Sequence, residues 1–164
     1  MIPRYSRSQM VKVWNEENKF KIWLDIECHA CIKMSELGII PKQAAQNIKK
    51  NAKFDISRIS KIEKETKHDV VAYIKNVSSY IGKEAKYFHH GVTSSDIIDT
   101  AFSIQLNQSA DIIINNIKKV LKELKTKSFK YKKTIMIGRS HGIHAEPITF
   151  GLKLASFYEE FKRN

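Results

Sequence analysis

The stretch "LNQSADIIINNIKKVLKEL", Leu106 to Leu124, decides the fold class. Leu106, Ala110, Ile113, Ile117, Val120 or Leu121, and Leu124 recur at steps of three and four, the period of one face of an α-helix. The spacing predicts a helix from about Ser95 to Lys130, roughly 50 Å long. An apolar stripe of that length needs partner helices, from this chain or another. The basic run "KELKTKSFKYKK" (Lys122–Lys133) suits the end of such a helix, where cations meet the negative end of the dipole.

Working outward, the same period appears before this helix. Trp23, Ile26, Ala30, Met34 and Leu37 mark one face of a helix over Asn18 to Leu37, and Gly38 follows as a C-cap. Pro41 suits the first turn of a short helix reaching Asn51. Asp55 caps a helix carrying Ile56, Ile59 and Ile62 and ending near Thr66. Asp69 is the expected N-cap of another, running through Tyr80 and closed by Gly82. After the long helix, a short extended piece is expected at Ile135–Ile137, and Pro147 is expected to open a final helix. That last pattern is still periodic at Asn164, as in a chain cut inside an element, so the sequence reads as the N-terminal fragment of a larger protein. The fold class expected is all-α.

The totals agree. The 164 residues are 42% hydrophobic and 28% charged, which is globular composition, and only 6 Gly and 3 Pro leave few breaks. The formal charge of +12 admits an anionic partner, but the lysines are spread along the chain. The start, "MIPRYSRSQM", lacks the apolar core of a signal peptide, and no stretch approaches the length of a membrane span. A soluble, cytoplasmic protein is therefore expected. Cys28 and Cys31 form a CxxC, yet they lie inside a helical repeat with no second pair to complete a zinc site. Two small thiols packed on one helical face is the better reading, and no metal is expected.

Chemistry collects in four interruptions: Arg4-Tyr5, Lys67-His68-Asp69, His89 to Asp96, and Arg139 to Glu146. Five of the six histidines fall in these breaks: His68, His89, His90, His141 and His144. Imidazole exchanges protons near neutrality, so such a cluster suits acid–base work. A helix start also presents free N–H groups to an anion. "TSSD" (Thr93–Asp96) thus reads either as a plain cap for the long helix or as an anion cradle, and spacing alone favours the cap. No P-loop, GxGxxG, HExxH or EF-hand pattern is present.

Four stretches, "IPRYSR", "KHDVVAYI", "HHGVTSSDIIDTA" and "GRSHGIHAEPITFG", occur in the order found in adenylosuccinate lyases of the fumarase/aspartase superfamily, and the chain resembles the front part of that family. The last two are the specific ones. The resemblance implies an all-α fold in which residues 1–94 form a small N-terminal helical domain and residues 95–164 begin a long helical bundle shared by a homotetramer. It implies elimination of fumarate from a nucleotide substrate of purine biosynthesis, without a cofactor, and with neither nucleic acid nor a membrane as partner. By the match, His141 is the general acid and His68 a catalytic-site histidine near the phosphate, helped by Arg4, Tyr5, Lys67 and Asp69. Thr93 and Ser94 grip the succinyl portion, and His89 supports substrate binding. The family's base, a serine in a flexible "SSxMPxKxNP" loop, has no counterpart here, and sites in the family combine residues of three subunits. The fragment is therefore expected to be inactive alone. Two other readings are a non-catalytic basic helical module for an anionic partner such as nucleic acid, and a different fumarate-releasing lyase such as argininosuccinate lyase.

Overall fold

The computed structural model describes residues 2–164. The chain forms two compact units that divide between Ser109 and Ala110, inside its longest helix. Unit one holds a 3-10 turn at Pro3–Tyr5, then α1 (Ser8–Val13), α2 (Glu16–Glu36), α3 (Lys42–Asn51), α4 (Ile56–Thr66) and α5 (Asp69–Ile81). A second 3-10 turn, Gly82–Tyr87, leads to the first part of α6 (Ser94–Lys130). Unit two holds the rest of α6, an antiparallel pair of strands, β1 (Ile135–Ser140) and β2 (Ile143–Thr149), and α7 (Phe150–Arg163). The fold is all-α with one small hairpin added.

Caps explain most helix limits. Asn15 accepts from the Asn18 N–H and starts α2 two residues before the expected point. Asp55 caps α4 as expected, accepting from Arg58 N–H. At the far end of α2, Gly38 takes a φ of 73°, and Ile39 N–H donates to Met34 O, which closes the helix with a left-handed turn. Pro41 is the residue before α3 rather than within its first turn. The cap of α5 is His68, not Asp69: the Val71 N–H donates to His68 Nδ1, and Asp69 takes the first helical position, where its charge suits the dipole.

The core of unit one is aromatic at its centre. Tyr73 of α5 stacks on Phe20 (centroids 5.8 Å apart, planes 3° apart) and meets Trp23 edge-on at 5.2 Å. Ile48, Ile59, Val77 and Ile97 are buried around it, each worth about 1.5–3 kcal/mol. The face of α2 read by apolar letters packs inward through Trp23, Ile26 and Met34, but not to its end. Leu37 is 75% exposed, while Trp23, Glu27 and Cys31, spaced four apart, are all buried. A carboxylate sits in the middle of that line. Cys28 and Cys31 are free thiols, the second buried with its thiol pushed up to about 12 by that burial.

Along α6 the buried residues are Ile97, Ala101, Gln105 and Ser109, a strict four-residue ladder. Gln105 donates to the carbonyl of Val13 at 2.8 Å, which ties α6 to the end of α1. Leu106, Ile113, Ile114 and Val120 remain exposed in the single chain. None of the predicted stripe is buried in the single chain: Leu106, Ala110, Ile113 and Val120 are exposed, and Ile117, Leu121 and Leu124 are half-buried.

The stretch after α6 corrects the sequence reading. The extended piece reaches Ser140, and Pro147 lies in β2, paired with Ile137, rather than opening a helix. A two-stranded ribbon has two edges, so a proline without an N–H is tolerated there. A bulge between Ile137 and Arg139 relaxes the register at the same point. The final helix starts at Phe150, capped by Thr149, whose hydroxyl accepts from Leu152 N–H.

Candidate active site

His141 is the first of two turn residues in the hairpin. Ser140 pairs with Ile143, so His141 and Gly142 alone make the connection, with φ values of 53° and 74°. Positive φ at both positions is the signature of the tight hairpin turn whose twist matches its strands. A histidine there is costly relative to Asn or Gly, and left-handed non-glycine residues are often functional. The His141 side chain is exposed and, among the described residues, has no hydrogen-bond partner. It stands at the tip of a two-stranded ribbon. Arg139 pairs with His144 in the strands, and an open groove lined by Met136, Gly138, Arg139, Leu152 and Phe157 lies between the hairpin and α7.

The other candidates lie in unit one. His68 Nδ1 is 3.4 Å from both the Val71 nitrogen and Asp69 Oδ1. A nitrogen that accepts from Val71 cannot also donate to Asp69. Nδ1 therefore serves either the cap of α5 or the Asp69 carboxylate, not both. Asp69 Oδ1 also accepts from Val70 N–H at 2.7 Å. Lys67 ends α4 in a left-handed conformation, φ 54°, and is exposed. Arg4 lies over the Tyr5 ring at 4.7 Å, and both are exposed. Among the described residues, no hydrogen bond or ion pair links the Arg4–Tyr5, Lys67–Asp69 and His89–Ser94 segments.

At the start of α6 Thr93 and Asp96 bond to each other across the first turn. Thr93 donates to Asp96 Oδ2 twice, from its N–H at 2.7 Å and its hydroxyl at 3.0 Å. These bonds hold the Asp96 carboxyl below the usual carboxylate range. Thr93 is thus engaged, and Asp96 already places negative charge at this helix end. The half-buried Ser94 hydroxyl has no partner among the described residues, which leaves it the free hydroxyl of the pair.

His89 makes the tightest contact of the set. Its Nδ1 lies 2.5 Å from Oε1 of Glu27, 62 residues away and 1% exposed. Burial pushes the Glu27 carboxyl up, and His89 pulls it back down. The sequence reading missed Glu27. Its signal was a charged residue midway between Trp23 and Cys31 at helical spacing.

The described residues contain no group of three or more histidine, cysteine or acidic side chains placed to hold a metal, and no helix long and apolar enough to cross a membrane.

A family model described as "Lyase" matches residues 4–164. The chain belongs to that lyase family. It is 49% identical over all 164 residues to the adenylosuccinate lyase of Bacillus subtilis (strain 168), of which it spans 38%. Among solved structures, a fumarate lyase from Mesorhizobium sp. BNC1 superposes with a TM-score of 0.89 at 28% identity, over 97% of this chain and 39% of that one. The β-carboxy-cis,cis-muconate cycloisomerase of Acinetobacter calcoaceticus sp. ADP1 superposes equally well, TM-score 0.89, at 24% identity over 96% of this chain and 38% of that one. This second likeness is one of fold. The lyase-family chain thus corresponds to rather over a third of each relative, and its resemblance to the front part of adenylosuccinate lyase is established.

Proposed function

We propose that these residues are the N-terminal part of a cytoplasmic adenylosuccinate lyase of purine nucleotide biosynthesis. The protein would release fumarate from adenylosuccinate and from the related succinylo-aminoimidazole carboxamide ribotide. The observation that carries this reading is the 49% identity to an adenylosuccinate lyase along the whole chain. In the reaction, a base takes a proton from the carbon beside a carboxylate. The electron pair left there forms the fumarate double bond as the C–N bond breaks, and an acid returns a proton to the leaving nitrogen. His141 is assigned as that acid, which suits an imidazole held out on a tight two-residue turn. His68 is assigned to the phosphate, with Arg4, Tyr5, Lys67 and Asp69 around it. Ser94, with Thr93 behind it, is assigned to the succinyl group, and His89 to substrate binding.

The base is placed outside these 164 residues, as are the remaining bundle helices. The intact protein is read as a homotetramer whose sites draw on several subunits, with residues 1–94 as its small domain and the bundle starting at residue 95. The 164-residue chain alone should not turn over adenylosuccinate. The test is release of fumarate and AMP by the purified complete protein, with the isolated chain as control. Turnover by the isolated chain would remove the shared-site part of this reading, and no turnover by the complete protein would remove the reading itself.

A further inference from the structure

Glu27 belongs to no motif that the family resemblance assigns. It lies on the inward line of α2, between Trp23 and Cys31, in a place where an apolar side chain would pack without cost. Burying a carboxylate is costly unless it is paired, and among the described residues one of its oxygens, Oε2, has no partner. The other is 2.5 Å from His89 Nδ1. His89 itself adopts a left-handed φ of 61°, in a loop tethered at three successive residues. Cys31 Sγ donates to the carbonyl of Tyr87 at 3.6 Å, Phe88 is buried against Tyr73, and His89 meets Glu27. The His89 side chain keeps 17% of its surface exposed.

We propose that Glu27 is a positioning residue that takes Nδ1 of His89 and so presents the Nε2 edge to an anionic oxygen of the substrate. A carboxylate on one ring nitrogen fixes the tautomer and orientation of the other, the device by which buried acids orient catalytic and metal-binding histidines. With Nδ1 held by Glu27, a protonated ring offers Nε2–H outward as a charge-assisted donor. The assignment rests on the proposed function for its substrate, while the pairing itself rests on geometry alone.

The test uses the complete protein and four forms: wild type, Glu27→Leu, His89→Ala and the double variant. Glu27→Leu breaks the pair from one side and leaves the mostly buried His89 ring, so its thermal midpoint should fall without unfolding the protein at assay temperature, and the double variant, which removes both partners, should recover part of that fall. KM for adenylosuccinate should rise about 10- to 100-fold, with a smaller change in kcat, as for loss of a hydrogen bond to a charged group. In the His89→Ala background the same change should have no further effect on KM. Glu27→Gln, which can still accept from Nδ1–H, should recover part of the loss. Competition by AMP and by fumarate tells phosphate from carboxylate as the oxygen bound, by which of the two weakens in Glu27→Leu. A far-downfield proton resonance from the short Glu27–His89 bond should be present in wild type and absent from Glu27→Leu and His89→Ala. Unchanged KM in Glu27→Leu, a full loss that persists without His89, or no such resonance in wild type would each overturn the proposal. Absence of wild-type turnover would instead count against the proposed function, and the resonance would still decide whether Glu27 holds His89.

Discussion

Gly138 of β1 lies against the backbone carbonyl of Glu146 in β2, so closely that a Cβ at 138 would come 2.5 Å from that oxygen. This contact sits at the bulge, two residue pairs from the turn that carries His141. Gly138→Ala must push the strands apart or shift the bulge. The expected cost is about 1–3 kcal/mol, as for overpacking elsewhere, together with a lower kcat because the turn is re-aimed. Denaturant unfolding and turnover of the complete protein check both, and a variant of wild-type stability would show that the strands give way freely.

Tyr73 supplies a second test. Its ring is fully buried, and its hydroxyl has no hydrogen-bond partner among the described residues. Tyr73→Phe keeps the stack on Phe20 and removes the unsatisfied group, so stability should be unchanged or increased. A loss beyond about 1 kcal/mol would mean that the hydroxyl has a partner, such as a buried water.

Acid sensitivity follows from two caps. Asp55 is held low by Ser57 and Arg58, and Asp96 by Thr93. A carboxyl depressed in the folded state contributes stability above its unfolded value of about 3.9, and that contribution is lost as pH falls through the folded value. Stability should thus fall with pH below about 4, and Asp55→Asn and Asp96→Asn should each flatten the fall. Thermal melts between pH 2 and pH 7 (roughly the span over which carboxyls titrate) read this directly. Unaltered slopes in both variants would contradict the capping account.

The exposed residues of α6 predict assembly. Leu106, Ile113 and Val120 are seven apart and uncovered in the single chain. Burial of each would contribute about 1.5–3 kcal/mol, and the seven-residue spacing suits a seam between long helices. Ile113→Glu should weaken self-association of the complete protein by several-fold or more in sedimentation. An unchanged association state would mean that this face is not in the interface.

The helices were legible because 3.6-residue periodicity and caps are local. Asn15, Asp55 and Gly38 act within four residues of the ends they fix. The hairpin was not legible. His141-Gly142 lacks the Asn-Gly or Asp-Gly form of a tight turn, and Pro147 imitates a helix start that only cross-strand pairing overrules. Glu27 was hidden for a different reason: its partner is 62 residues away, and an acidic residue in a charged helix looks solvated until its depth is known. Among the site residues, sequence located the segments, while the use of Thr93 on Asp96 and the cap at His68 needed coordinates.

Under the proposed function the hairpin turn presents His141 as the acid of a fumarate-releasing elimination. That assignment is tested most directly by steady-state turnover of adenylosuccinate by the complete protein and its His141→Ala variant, with His68→Ala alongside. We expect His141→Ala to lower kcat by about 10²–10⁴-fold with KM little changed, since general acid–base catalysis contributes on that scale. His68→Ala should raise KM as well. A His141→Ala enzyme that keeps near-normal kcat would contradict the assignment and leave His68 as the first candidate for the acid.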